Sequence, residues 1–181
     1  MEAIQAIMTR RSVRKFTEEP VSDAQLEVVL KAAMNAPSAG NEQPWRFVVV
    51  RDRDTLRRLS KATPFAGTLA EAGAGIVVCV DRRALKYPGF WLIDTSAATQ
   101  NLLLAAHATG LGGVWIGVHP VWPFKAAVRR IVRLPRVVAA VSLVAIGHPA
   151  GVPTPVERYN PLFVHAERWG TRLPAQSESP R

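Results

Sequence analysis

Between Leu92 and Thr109 the chain carries a helical stretch with apolar residues on nearly every side, among them Ile93, Ala97, Ala98, Leu102, Leu104 and Ala105. A helix with a single apolar stripe lies on a surface, whereas one that is apolar nearly all round has to be surrounded. The stretch therefore predicts a central, buried helix over 92–109, with a second subunit as one source of cover. Gly110 is well placed to end it, because glycine accepts the left-handed backbone of a helix C-cap. Everything else has to assemble around this helix.

The remaining pattern supplies shorter elements. Ile4, Ile7 and Met8 fall on one side of a helix over residues 2–10. Ser22 and Gln25 have capping-box spacing, and Leu26, Val29, Leu30 and Ala33 continue as a helical stripe that Pro37 terminates. Asp54 is placed to cap a short helix carrying Leu56 and Leu59, with a further turn near Leu69. Phe124, Ala127, Val128 and Ile131 form another stripe, with Pro123 in its first turn. Apolar runs at 45–50, 75–81, 114–118 and 138–146 read as strands. There is no regular strand–helix alternation. Gly110-Leu111-Gly112-Gly113 follows a helix rather than a strand, which is the wrong context for a dinucleotide-binding turn. The expectation is one α+β domain around a buried sheet.

At 181 residues, 48% apolar, the chain is long enough to bury such a core. Its longest apolar run, 137–146, is about half of a membrane span. No signal-peptide pattern opens it, so a cytoplasmic location is expected. Cys79, the single cysteine, lies in a strand run and reads as a small inert hydrophobe. His107, His119, His148 and His165 are scattered, so no metal site is expected. The net charge of +9 raises the possibility of a polyanion partner. Its arginines, however, sit as separated pairs (Arg57-Arg58, Arg82-Arg83, Arg129-Arg130) without RNA-binding aromatics, so nucleic acid is disfavoured.

Two segments carry chemistry. Arg10-Arg11-Ser12-Val13-Arg14 packs guanidinium forks, a hydroxyl and backbone amides into five residues, a set suited to a phosphate. Ala36-Pro37-Ser38-Ala39-Gly40-Asn41-Glu42-Gln43-Pro44-Trp45 is a polar, Gly/Pro-punctuated loop entering an apolar strand, suited to the rigid edge of a small-molecule pocket. With Gly110–Gly117 and a late Gly147-His148-Pro149 followed by Arg158-Tyr159, they resemble, in order, the flavin-binding elements of the nitroreductase family. The resemblance runs from Ile4 to about Trp169.

That resemblance implies a mostly antiparallel central sheet surrounded by helices in a single domain over 1–170, and the polar, Pro/Ser-rich ending gives 171–181 as a mobile tail. The resemblance also implies FMN held tightly and non-covalently at a homodimer interface. Matched residue by residue, Arg10, Ser12 and Arg14 correspond to ligands of the FMN phosphate, ribityl chain and ring edge. Arg11 would contribute through its backbone, and Arg158 to the late basic residue that returns to the phosphate. Pro37, Ser38, Ala39 and Asn41 match the loop that a partner subunit lays over the flavin, with Gln43 and Trp45 in support. Trp115, Ile116 and Gly117 match the strand end beneath the ring, where a backbone N–H approaches flavin N5. The implied activity is ping-pong hydride transfer from NADH or NADPH, through flavin N5, to an electron-poor acceptor such as a nitroaromatic or quinone, with no catalytic side chain. Relatives of the same fold catalyse dehalogenation or flavin breakdown, and a non-catalytic flavin- or polyanion-binding module is the rival from another class. The Asn and Lys that larger members carry before the second strand have no match in Lys61-Ala62-Thr63-Pro64-Phe65.

Overall fold

Strands β1 (Trp45–Val50), β2 (Ala74–Asp81), β3 (Gly112–Gly117) and β4 (Val138–Gly147) form one antiparallel sheet in the order β1-β2-β4-β3. The computed structural model describes residues 1–154 and 156–173. Part of the expected tail, 174–181, lies outside the described residues. Thr171 and Arg172 turn back on the chain, the Ala166 amide donating to the Thr171 carbonyl at 2.9 Å.

Both central strands are covered on both faces, which is why their sequences are continuous apolar runs rather than alternations. Val77, Cys79, Leu143 and Ala145 face helices α3 (Arg53–Leu59) and α5 (Trp122–Ile131). Ile76, Val78, Val144 and Ile146 face α2 (Asp23–Met34) and α4 (Trp91–Ala108). The β2–β4 pairing skips Val141, a bulge between Val78 and Cys79. It falls where β3 ends, and the amides of Val118 and His119 both donate to the Val141 carbonyl, at 3.3 and 2.9 Å.

The expected capping box is present. The Gln25 amide donates to Ser22 Oγ at 3.2 Å and the Ser22 amide to Gln25 Oε1 at 2.9 Å. One expected cap moves by two residues: Asp52, not Asp54, accepts from the Thr55 amide at 2.8 Å. Asp54 instead lies inside α3 and pairs with Arg57. Cys79 is fully buried in β2, and burial pushes its thiol up to about 12, consistent with an inert role.

Helix α4 only partly meets its expectation. Ala98, Leu102 and Ala106 are buried, and Thr95 and Thr99 join them by donating their hydroxyls to the carbonyls of Trp91 and Thr95 at 2.7 Å each. Leu92 and Ile93, by contrast, stand exposed. The first helix, α1 (Ala3–Thr9), buries only Ala6, leaving Ile4, Ile7 and Met8 in solvent. Among the described residues no helix is long and apolar enough to cross a membrane, and no cluster of potential metal ligands occurs.

Candidate functional site

The basic turn leaves α1 and is stitched to the start of β3. Ser12 forms a parallel bridge with Gly113, and the Val13 amide donates to the Gly113 carbonyl at 3.0 Å. Farther on, Phe16 bridges Pro149, and the Thr17 amide donates to the His148 carbonyl at 2.9 Å. The Arg10–Arg14 segment is thereby fixed along the outer edge of the sheet. Gly117 lies four residues beyond Gly113 on the same strand, roughly 13 Å at the rise of an extended chain.

Three arginines meet beside this turn. Arg11 donates to the carbonyls of Met8, Arg10 and Val156 at 3.0, 2.7 and 2.7 Å, tying the late segment to the turn. That tie brings Arg158 near Arg10. Partial burial, and then the charges of Arg158 and Arg11, hold the Arg10 guanidinium below its ordinary value. Glu157 is engaged locally, accepting from the amides of Arg158 and Tyr159 at 2.8 and 2.7 Å. Among the described residues Arg10, Arg14 and Arg158 form no salt bridge. A like-charged group of this kind is favourable only around an anion. The buried Arg11 Nε also lacks a protein acceptor. These features fit a phosphate.

His107, on α4, belongs to the same corner and was not predicted from sequence. Its Nε2 lies 2.7 Å from Thr9 Oγ1, which itself donates to the Gln5 carbonyl. Thr9 therefore accepts from Nε2–H. Burial, with Arg10 and Arg11, holds His107 below its ordinary value and favours the neutral ring.

On β3, Ile116 is buried in the core, so only its backbone is available to a ligand, whereas Trp115 and Gly117 are solvent-accessible on the opposite face. A Cβ built on Gly117 would meet nothing within 4 Å, so packing does not explain the glycine there. Close approach of a ligand would.

The Pro37–Asn41 loop is locked in an uncommon conformation. Gly40, Asn41 and Gln43 all have left-handed φ, of 53°, 53° and 48°. A side chain at Gly40 would also stand 2.2 Å from the Tyr87 ring. Ser38 Oγ accepts from the Gln43 amide at 3.0 Å, and Gln43 Nε2 donates to Asn41 Oδ1 at 2.9 Å. Trp45 is buried, and Pro37 is exposed at the loop's start. Glu42 and Asp94, neither predicted from sequence, anchor the loop. Glu42 Oε2 accepts from the Lys86 and Tyr87 amides at 2.6 and 2.9 Å, and Asp94 Oδ1 from the Ala39 amide at 3.1 Å. Asp94 did leave a signal, being a lone carboxylate in an otherwise apolar helix.

The loop and the basic turn contact opposite ends of α4. Asp94 and His107 are thirteen residues apart on that helix, roughly 20 Å along its axis. No hydrogen bond joins the two segments among the described residues.

The family model for the nitroreductase family matches residues 7–64 and 66–148, which takes in both segments and the whole sheet. A protein of Archaeoglobus fulgidus, provisionally named NADH dehydrogenase/NAD(P)H nitroreductase, is 45% identical over 172 residues, covering 93% of this chain and 99% of its own. A crystal structure bearing the same provisional name, from Parabacteroides distasonis, is 37% identical with a TM-score of 0.88, covering 92% and 98% of the two chains. A nitroreductase structure from Desulfovibrio desulfuricans, provisionally so named and in complex with FMN, is 33% identical with a TM-score of 0.76, covering 88% and 92%. The match covers most of the chain, and the chain belongs to the nitroreductase family.

Proposed function

We propose that this protein is an FMN-dependent NAD(P)H oxidoreductase acting on small electron-poor acceptors. The observation that carries the reading is the arginine group of Arg10, Arg11 and Arg158, without a salt bridge among the described residues, fixed to one end of the strand that presents the open backbone of Gly117 at its other end. When bound, FMN supplies two-electron transfer between a reduced nicotinamide and the acceptor.

The chain's own residues do the rest. Arg10, Arg158 and the backbone of Arg11 hold the phosphate, while Ser12 contacts the ribityl chain and Arg14 the ring edge. The peptide backbone of Trp115, Ile116 and Gly117 supports the ring, with a donor N–H where negative charge accumulates on reduction. Donor and acceptor occupy one face in turn, giving ping-pong kinetics with quinones and nitroaromatics. No side chain is required as nucleophile or general base.

The working unit in this reading is a homodimer in which Pro37, Ser38, Ala39 and Asn41 of one chain complete the flavin site of the other. The separation of that loop from the basic turn along α4 supports this, as does the apolar surface left uncovered. Ile4, Ile93, Phe163 and Trp169 are 72%, 64%, 80% and 89% exposed and offer apolar area to a partner. Obligate interfaces bury upwards of about 2,000 Å² and resemble a core cut in half. A protein of this kind is expected to work in the cytoplasm, where reduced nicotinamides are made.

Purified protein is expected to be yellow with one FMN per chain, to bleach on anaerobic addition of NADPH or NADH, and to regain colour with a quinone. Protein that binds no FMN would refute the reading, and yellow protein that no nicotinamide bleaches would leave only a flavin-binding module. Sedimentation equilibrium at micromolar concentration should give the dimer mass, and an FMN-loaded monomer would exclude the shared site.

A further inference from the structure

A second cationic cavity, outside the Arg10 corner, opens where β3 leaves the sheet. It has a volume of about 200 Å³ and is lined by Arg82, Trp122, Lys125 and Arg129 over the β4 backbone at Val138–Ala140. Trp122, Lys125 and Arg129 are spaced by three and four along α5, so they share one side of that helix. The β4 edge at Val138–Ala140 has no β3 partner, because β3 pairing stops at Ser142 and the amides of Val118 and His119, just past β3, converge on Val141. None of the lining side chains is acidic.

Some arginines of the surface are neutralised by carboxylates. Arg51 pairs with Asp23, Arg57 with Asp54, and Arg83 with Asp81. Arg82, Lys125 and Arg129 form no salt bridge among the described residues. Two of them are oriented by backbone instead: Arg82 Nη2 donates to the Arg136 carbonyl at 3.5 Å and Arg129 Nε to the Leu134 carbonyl at 3.2 Å. Both guanidinia keep further N–H groups for a ligand. Trp122, 73% exposed, offers a flat face beside them.

The cavity also adjoins the strand end assigned to the flavin ring. His119, two residues beyond Gly117, stands within the electrostatic reach of Lys125, and its ring packs edge-on against Trp91 with centroids 4.8 Å apart. Ala139 lies three residues from Ser142, the partner of Gly117, roughly 10 Å along β4. A dinucleotide with its nicotinamide end at Gly117, whose open side faces away from α5, reaches the cavity by passing round the end of β3 beyond Gly117.

We infer that the Arg82–Lys125–Arg129 cavity binds the 2′-phosphate of the adenosine end of NADPH, with the Trp122 indole against the adenine, and so makes NADPH the preferred donor. The inference rests on the oxidoreductase reading and narrows it. A phosphomonoester dianion matches three unpaired cations, and a bare 2′-hydroxyl would leave them uncompensated.

Calorimetric titration of the purified protein with adenosine 2′,5′-bisphosphate, adenosine 5′-monophosphate and inorganic phosphate tests the site without turnover. The bisphosphate is expected to bind at least roughly tenfold more tightly than either other probe. Lys125→Gln and Arg82→Gln should each remove most of that margin while leaving monophosphate binding and flavin content unchanged. In steady state the same variants should raise KM for NADPH and not for NADH. Equal affinity for the two nucleotides, equal affinity for inorganic phosphate, or an unaltered margin in both variants would each overturn the assignment. So would an equal rise in KM for both donors. A colourless protein that still prefers the bisphosphate would refute the redox reading and keep the site, whereas a yellow, reducible protein without the preference would do the reverse.

Discussion

Asp94 Oδ1 accepts a 3.1 Å hydrogen bond from the amide of Ala39, joining the first turn of the central helix to the loop with three left-handed residues. Asp94 is 4% exposed, its other oxygen has no protein partner, and Glu42 stands close by. Burial first, and the Glu42 charge after the opposing Ala39 bond, raise its carboxyl above the ordinary value of 3.8.

A carboxyl raised in the folded state binds its proton more tightly there, so its ionisation subtracts from stability as pH climbs past 3.8 toward the folded value. Asp94→Asn keeps an acceptor for Ala39 and removes that ionisation, so it should be neutral or stabilising at pH 7 in a thermal melt. Asp94→Ala leaves the Ala39 amide unpaired and should cost about 1–3 kcal/mol. A destabilised Asn variant at neutral pH would contradict this account.

Gly117 and Gly112 should respond oppositely to the same added methyl group. At Gly112 a Cβ would come within 2.6 Å of Val13, so Gly112→Ala should lower the melting temperature of flavin-free protein. At Gly117 no atom lies within 4 Å, and alanine favours an extended strand over glycine. Gly117→Ala should therefore preserve or raise stability without flavin while lowering FMN affinity. Unchanged FMN affinity would remove Gly117 from the site.

Arg14 donates no side-chain hydrogen bond within the described chain; only its carbonyl is used, accepting from Thr68 Oγ1 at 2.9 Å. Arg14→Ala should accordingly leave folding intact. Loss of a charge-assisted contact predicts about 1.5–3 kcal/mol weaker FMN binding, and pale protein on purification. Fluorescence titration with FMN would read the change, and wild-type affinity would make Arg14 a surface charge.

Asp81 contributes to the acid limb. Two hydrogen bonds from the Arg83 guanidinium, at 3.0 and 2.8 Å, and one from its amide hold the Asp81 carboxyl down to about 2. A lowered carboxyl supports the fold above its ordinary 3.8 and loses that contribution as pH falls through 3.8 toward 2. Melts between pH 5 and 2 should show a shallower acid decline in Asp81→Asn than in the native chain. Parallel curves would mean the pair is too well solvated to matter.

The strands were legible because each is a continuous apolar run, and β1 occupies the residues at which its run predicts it. The Ser22 cap was legible because its reciprocal bonds depend on residues three apart. So was the crowding of cations along Arg10–Arg14, which needs only neighbouring residues in one turn. Spacing alone could not rank Asp52 against Asp54, since two acids two residues apart compete for one helix start. Nor could it show that α4 leaves Ile93 exposed, because an all-round apolar pattern does not say whether the cover comes from its own chain. Tertiary structure decided whatever depended on distant segments meeting: Arg158 beside Arg10, His107 against Thr9, Asp94 beneath Ala39, and Arg82, Lys125 and Arg129, without a salt bridge among the described residues, around Val138–Ala140. Those juxtapositions set the charge and hydrogen bonding of the site. They depend on how strands and helices of widely separated sequence stack, which no local pattern encodes.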